Sequence, residues 1–110
     1  MKTGIAILVV SESSLKLSLT IAEHLPGSNL YSSFESIFTD TIPSIATFLK
    51  EHFNRFEAFV FVGSLGICVR SIAPFITDKH TDPAIVNIDS TGKYIVSVLY
   101  GHIGGANILT

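Results

Sequence analysis

The run Gly4-Ile5-Ala6-Ile7-Leu8-Val9-Val10 is apolar throughout and rich in branched side chains. Such side chains favour extended backbone, and a strand with no polar face must be covered on both sides. A second run, Ala58-Phe59-Val60-Phe61-Val62, has the same character. Strands buried on both faces call for a sheet between layers of helices. The intervening segments supply those helices. From Leu15 to Leu25 the apolar residues fall into adjoining rows, Leu15-Leu19-Ala22 and Leu17-Ile21-Leu25, with Lys16, Thr20 and Glu23 turned away. That wide stripe suits a helix lying flat on a sheet. Ser11-Glu12-Ser13-Ser14 offers N-caps, and Pro26-Gly27 stops the helix. Ile42, Ile45, Ala46, Leu49, Phe53 and Phe56 recur at helical spacing, predicting a second helix capped by Asp40 or Thr41 with Pro43 in its first turn.

The remaining signals fill in the order of elements. Asn29 to Ser32 reads as a weak strand and 33–40 as a loop. After Gly63-Ser64-Leu65-Gly66 a short helix runs until Pro74, followed by a polar loop over 75–83. Ala84 to Asp89 and Lys93 to Leu99 read as strands joined by the tight turn Ser90-Thr91-Gly92, and a helix begins at Ile108. The expected fold is an α/β three-layer sandwich with a mostly parallel five-stranded sheet and one antiparallel strand from the 84–99 hairpin. Setting the last strand parallel to 58–62 brings both glycine-rich segments, 63–66 and 101–105, to one sheet edge, where ligands bind in open α/β folds. The whole is one domain, 1–110, read as an N-terminal fragment of a longer enzyme because it ends one turn into a helix.

Composition narrows the function classes. With 47% hydrophobic and 15% charged residues, the chain is not intrinsically disordered. A net charge of −2 without a basic block argues against nucleic acid as partner. Cys68 is the single cysteine, so no internal disulfide forms. No apolar run approaches the ~20 residues of a membrane helix. The N-terminal run is preceded by Lys2 alone and followed by no cleavage site, so it reads as a strand rather than a signal peptide. The expected location is the cytoplasm, with no membrane partner.

Several residues carry chemistry. Gly63, Ser64 and Gly66 lie at a strand-to-helix turn, where backbone amides approach an anion closely; the plainer reading is a tight turn without a ligand. Gly101-His102-Ile103-Gly104-Gly105-Ala106-Asn107 surrounds one histidine with three glycines, which suits an acid, a base or a carboxylate donor as well as a solvated loop. Asn107 either caps the last helix or holds a ligand carbonyl. Arg70 is a fork for a carboxylate, a surface residue, or a partner of Asp78 or Asp82. Asp78, Lys79, His80 and Asp82 crowd one loop, in which Asp82 either takes part in acid–base work or caps the turn before Pro83. Cys68 reads as a small core residue, and His24 and His52 as surface residues. His80 and His102 lack the further ligands of a zinc set.

Three motifs in order, Gly66-Ile67-Cys68-Val69-Arg70-Ser71-Ile72-Ala73-Pro74, Asp78-Lys79-His80-Thr81-Asp82-Pro83-Ala84 and Gly101-His102-Ile103-Gly104-Gly105-Ala106-Asn107, resemble the N-terminal region of the cobalt-precorrin-5A hydrolases, the CbiG family of anaerobic cobalamin biosynthesis. Residues 1–62 share only the pattern of elements. The resemblance implies a hydrolase that opens the ring-A lactone of a cobalt corrinoid with water and releases acetaldehyde, giving cobalt-precorrin-5B. It implies no cofactor, since the cobalt belongs to the substrate. It implies as partners a C-terminal domain and, in some members, a fused corrin methyltransferase. On this reading His102 is the catalytic residue, as general base or by orienting the attacking water at the lactone carbonyl. Gly63, Ser64, Gly66, Arg70, Lys79, His80, Gly101, Gly104, Gly105 and Asn107 meet the carboxylate-rich substrate. The competing expectation is a non-catalytic carboxylate- or tetrapyrrole-binding module serving a partner domain.

Overall fold

The computed structural model describes residues 2–99. The elements follow in the order β1 (Ile5–Val9), α1 (Leu15–Glu23), β2 (Ser28–Ser32), β3 (Asp40–Thr41), α2 (Ile45–His52), β4 (Ala58–Val62), α3 (Leu65–Ile72), β5 (Ala84–Ile88) and β6 (Ile95–Leu99). They form a six-stranded sheet ordered β3-β2-β1-β4-β5-β6. Every pair is parallel except β5 with β6.

The two apolar runs occupy the middle of the sheet, where both faces are covered. Ala6–Val9 and Ala58–Val62 are all buried. Alternation sends Ala6, Leu8, Phe59, Phe61 and Ile85 to one face, where α2 and α3 add Phe48, Leu49, Phe53, Cys68 and Ile72. Phe59 anchors this layer, stacked on Phe53 at 5.9 Å between ring centroids and edge-on to Phe48 at 6.5 Å. Ile7, Val60 and Val62 turn to the other face and pack against Leu17, Ile21, Ala22 and Leu25 around α1. The Leu17-Ile21-Leu25 row read from the sequence makes that packing with Ala22, whereas Leu15 and Leu19 of the other row are not part of it and the fully buried residue of α1 is Ser18.

Three local expectations are corrected. The sheet has six strands rather than five, because Asp40–Thr41 pairs with Tyr31–Ser32 inside the segment read as a loop. That pairing, extended by Ile42 N–H donating to Ser32 O at 2.8 Å, ties Asp40 and Thr41 to β2 and prevents either from capping α2. The cap is Ser44, whose Oγ accepts from Thr47 N–H at 3.0 Å, so Pro43 precedes the helix. The helix ends at His52, and Phe56 joins the core from the turn that follows.

The third correction concerns direction. The strand antiparallel to the rest is β6, not β5. Ala84 N–H donates to Glu57 O at 3.0 Å, so β5 begins beside the start of β4 and runs with it. The crossover through α3 returns the chain to the amino edge of the sheet before β5 starts, as parallel strands require. The following turn then reverses β6: Asp89 accepts from Tyr94 N–H at 2.8 Å, and Gly92 adopts φ 77°. Ile88 faces Ile95 and Ile85 faces Leu99. Leu99 therefore ends at the amino edge, whereas Gly63 follows β4 at the carboxyl edge. The strand direction that would bring 63–66 and 101–105 to one edge is absent.

Candidate functional site

The chemistry-bearing residues divide between the two edges. At the carboxyl edge, β1 and β4 lie side by side while their crossovers leave in opposite directions, the arrangement that opens a crevice in α/β folds. Gly63 is held there from several sides. Its N–H donates to Ile88 O at 2.9 Å, and its carbonyl accepts from Asn87 Nδ2 at 3.2 Å. Its φ is +156°, and an added Cβ would lie 2.8 Å from the Cβ of Val10. Glycine is required here for close approach between neighbouring strand ends. Since its amide is committed to the β5 ladder, it does not offer that proton to a ligand.

Ser64 caps α3, accepting from Ile67 N–H at 3.4 Å, while its carbonyl accepts from Cys68 N–H at 3.1 Å. The Leu65 and Gly66 amides occupy the exposed first turn, where a helix has no internal acceptor for them. Across the crevice, Ser14 Oγ lies 3.2 Å from Ser90 Oγ and Ser11 Oγ lies 2.9 Å from Ser13 Oγ. This edge is lined by hydroxyls that largely bond one another.

The amino edge carries the charged loop. Asp82 is 3% exposed, and its carboxylate accepts from Thr77 N–H at 2.9 Å, Thr77 Oγ1 at 3.0 Å and Asp78 N–H at 3.2 Å. Asp78 Oδ1 accepts from His80 N–H at 3.0 Å. The Asp78 carbonyl accepts from the amides of Thr81 and Asp82 at 3.1 and 2.8 Å. Asp82 thus organises the turn before Pro83, and its lone pairs are turned inward to backbone donors. The loop presents Lys79 and His80 as exposed side chains. Neither is brought to Gly63, Ser64 and Gly66, which sit across the length of the sheet.

Arg70 is exposed in the last turn of α3. It makes no ion pair with Asp78 or Asp82: among the described residues the one contact of that length is between His52 Nε2 and Glu51 Oε2, at 3.8 Å. A cation in the last turn is favourable for the helix dipole whatever else it does. Cys68 is fully buried, and burial pushes its thiol pKa up to about 12, so it is a core residue and not a nucleophile. His24 Nδ1 lies 2.9 Å from Thr20 O. His52 is half-buried, its ring 4.6 Å from that of Phe48. The described residues contain no group of three or more His, Cys, Asp or Glu able to hold a metal, and no helix long and apolar enough to cross a membrane. Gly101, His102, Gly104, Gly105 and Asn107 lie outside the described residues.

Sequence reasoning missed Asn87. It is 2% exposed and is the one polar residue in Ala84-Ile85-Val86-Asn87-Ile88. That lone polar position in a buried strand was the available signal, because a buried amide requires a specific partner.

The segment from α2 through β6 is also where the chain matches known proteins. A family model described as Cobalamin synthesis G N-terminal matches residues 47–110. The chain belongs to this family. Two curated relatives, each named cobalt-precorrin-5A hydrolase, are similar to it. The protein of Salmonella typhimurium (strain LT2) is 48% identical over 61 residues, 56% of this chain and 17% of that protein. The protein of Priestia megaterium is 49% identical over 67 residues, 61% of this chain and 18% of that protein. The aligned stretches thus span under a fifth of each relative. The crystal structure of a cobalamin biosynthesis protein G homolog from Sulfolobus solfataricus is similar across 96% of this chain and 32% of its own, with a TM-score of 0.74 and 27% identity. Gly63, Ser64, Gly66, Arg70, Lys79 and His80 all fall within the family match, whereas β1, α1 and the Ser11–Ser14 turn precede it.

Proposed function

We propose that this chain is the N-terminal part of a cytoplasmic cobalt-precorrin-5A hydrolase of cobalamin biosynthesis. The observation that carries the reading is the 48–49% identity to two proteins of that name within the family segment. The reaction adds water to the ring-A lactone of the cobalt corrinoid. Water adds to the lactone carbonyl and the acyl C–O bond breaks, leaving a carboxylate on the ring-A arm and a hydroxyl on the two-carbon unit. That hydroxyl gives up its proton and becomes the carbonyl of acetaldehyde as the carbon–carbon bond to the macrocycle breaks, and the ring carbon that keeps the electron pair takes up a proton. The cobalt is part of the substrate.

The amino edge of the sheet faces the substrate in this reading. His102 takes a proton from the attacking water, and the Gly104 and Gly105 amides receive the developing oxyanion. Such donors are worth ~3–4 kcal/mol of barrier each. Gly101 and Asn107 shape the same segment. Lys79, His80 and Arg70 take peripheral carboxylates, for which the Asp82-locked loop supplies a fixed frame.

Strand register separates Gly63 from the end of β6. Leu99 is level with Ile85, which is level with Phe59. From that level, Gly63 is about 16 Å away, counting ~13 Å along β4 and ~10 Å across the strands. In this reading Gly63, Ser64 and Gly66, at the opposite edge, meet a more distant arm of the macrocycle through the Leu65 and Gly66 amides.

The test is His102→Ala in the full protein, assayed for acetaldehyde release from cobalt-precorrin-5A. A fall of about 10²–10⁴-fold is expected for loss of a general base. Wild-type release would remove His102 from the mechanism.

A further inference from the structure

A groove of about 340 Å³ opens between the end of α2 and the segment that follows α3. Pro74 and Phe75 supply apolar surface to it, and Phe75 rests on the buried Phe53 with ring centroids 5.9 Å apart. Its rim carries Lys50 and Arg55, both exposed. Glu51 shares the rim but lies 3.8 Å from His52 Nε2. Thr77 closes one wall, and that wall is fixed because Asp82 accepts both its N–H and its hydroxyl. Arg55 O accepts from Thr3 N–H at 3.1 Å, just before β1 begins, which sets this rim at the amino edge with Lys79 and His80.

Apolar surface beside two exposed cations does not favour a small hydrated anion. It fits the rim of a ring system with a carboxylate arm attached, the ring edge lying on Pro74 and Phe75 and the arm reaching Lys50 and Arg55. We propose that this groove is a second carboxylate subsite, separate from the Lys79–His80 loop, which takes a peripheral arm of the polycarboxylate macrocycle. The inference rests on the reading of the amino edge as the substrate face.

Both rim cations are exposed, so replacing them leaves the core intact. The experiment measures binding of cobyrinic acid, a cobalt corrinoid with free carboxylate arms, by calorimetry to wild type, to the Lys50→Ala/Arg55→Ala double variant and to Lys79→Ala. Cobinamide, whose arms are amidated, is the control ligand. Two exposed charge contacts predict about ten-fold weaker binding in the double variant. The difference should shrink with added salt and vanish with cobinamide. Equal affinity of wild type and double variant, with Lys79→Ala still weakened, overturns the groove and leaves the amino-edge reading standing. An equal loss with cobinamide overturns carboxylate recognition at the groove. Absence of binding to wild type overturns both.

Discussion

Gly63→Ala is expected to destabilise the protein well beyond an ordinary glycine substitution. The new Cβ would meet Val10 Cβ at 2.8 Å, Cγ2 at 3.1 Å and Cγ1 at 3.3 Å, with φ at +156°. Overpacking of this kind costs about 1–3 kcal/mol, and an alanine held in a region that favours glycine adds about 1 kcal/mol. Neither neighbour yields freely. Val10 N–H is bonded to Val62 O at 3.3 Å, Gly63 N–H to Ile88 O and Gly63 O to Asn87, so relief on one side disturbs β1, β4 or β5. The sum is about 2–4 kcal/mol, or a fall in Tm of roughly 8–16 °C for a domain of this size. Urea titration followed by circular dichroism measures it directly. Val10→Ala in the same background removes both Cγ contacts but retains the closest one, so it should restore only part of the loss. A Gly63→Ala protein within about 0.5 kcal/mol of wild type would refute the argument, because it would mean that the strand ends do not approach as described.

Two further outcomes follow from titratable groups. Cys68, fully buried and with its pKa raised to about 12 by that burial, should resist a thiol reagent at pH 8 in the native protein and react stoichiometrically in denaturant; rapid native labelling would contradict its place on the buried face of α3. Asp89 has its pKa lowered, first by the Thr91 hydroxyl, then by the Tyr94 amide. Its stabilising effect on the β5–β6 turn is therefore present above the ordinary carboxylate range and is lost as pH falls through the lower folded value. The Tyr94 amide resonance should report that loss in acid, and Asp89→Asn should remove the pH dependence.

The central layers were legible because nothing but burial explains apolar runs such as Ile5–Val9 and Ala58–Val62, and because Leu15–Leu25 repeats at helical spacing. The two-residue β3 was not, since Asp40 and Thr41 are exposed and carry no alternation; backbone pairing with Tyr31 and Ser32 draws the chain into the sheet. The α2 cap was misplaced by three or four residues for the same reason: Asp40, Thr41 and Ser44 all cap well, and tertiary pairing chooses among them. Strand direction was the costlier miss. The turn at Ser90-Thr91-Gly92 fixes β5 against β6 but says nothing of β5 against β4. That relation is decided by where α3 delivers the chain, through the Ala84–Glu57 hydrogen bond. At the site, the loop around Asp82 was readable as a turn before proline. The groove was not readable, because Phe75 stands 20 or more residues from Lys50 and Arg55 in sequence and joins them only when α2 and α3 share a face.

The single amide inside β5 has a consequence for how the strands find their alignment. Asn87 stands level with Phe61 and reaches Gly63 O, while its Oδ1 has no partner among the described residues. A slide of β5 by one position would swing that amide to the opposite face, among Val60, Val62 and the α1 side chains, far from its acceptor. Neighbouring Ile85, Val86 and Ile88 are nearly interchangeable greasy surfaces and tolerate such a slide. One polar key among them makes the misaligned sheet the expensive one, at the strand end where the chain turns into α3.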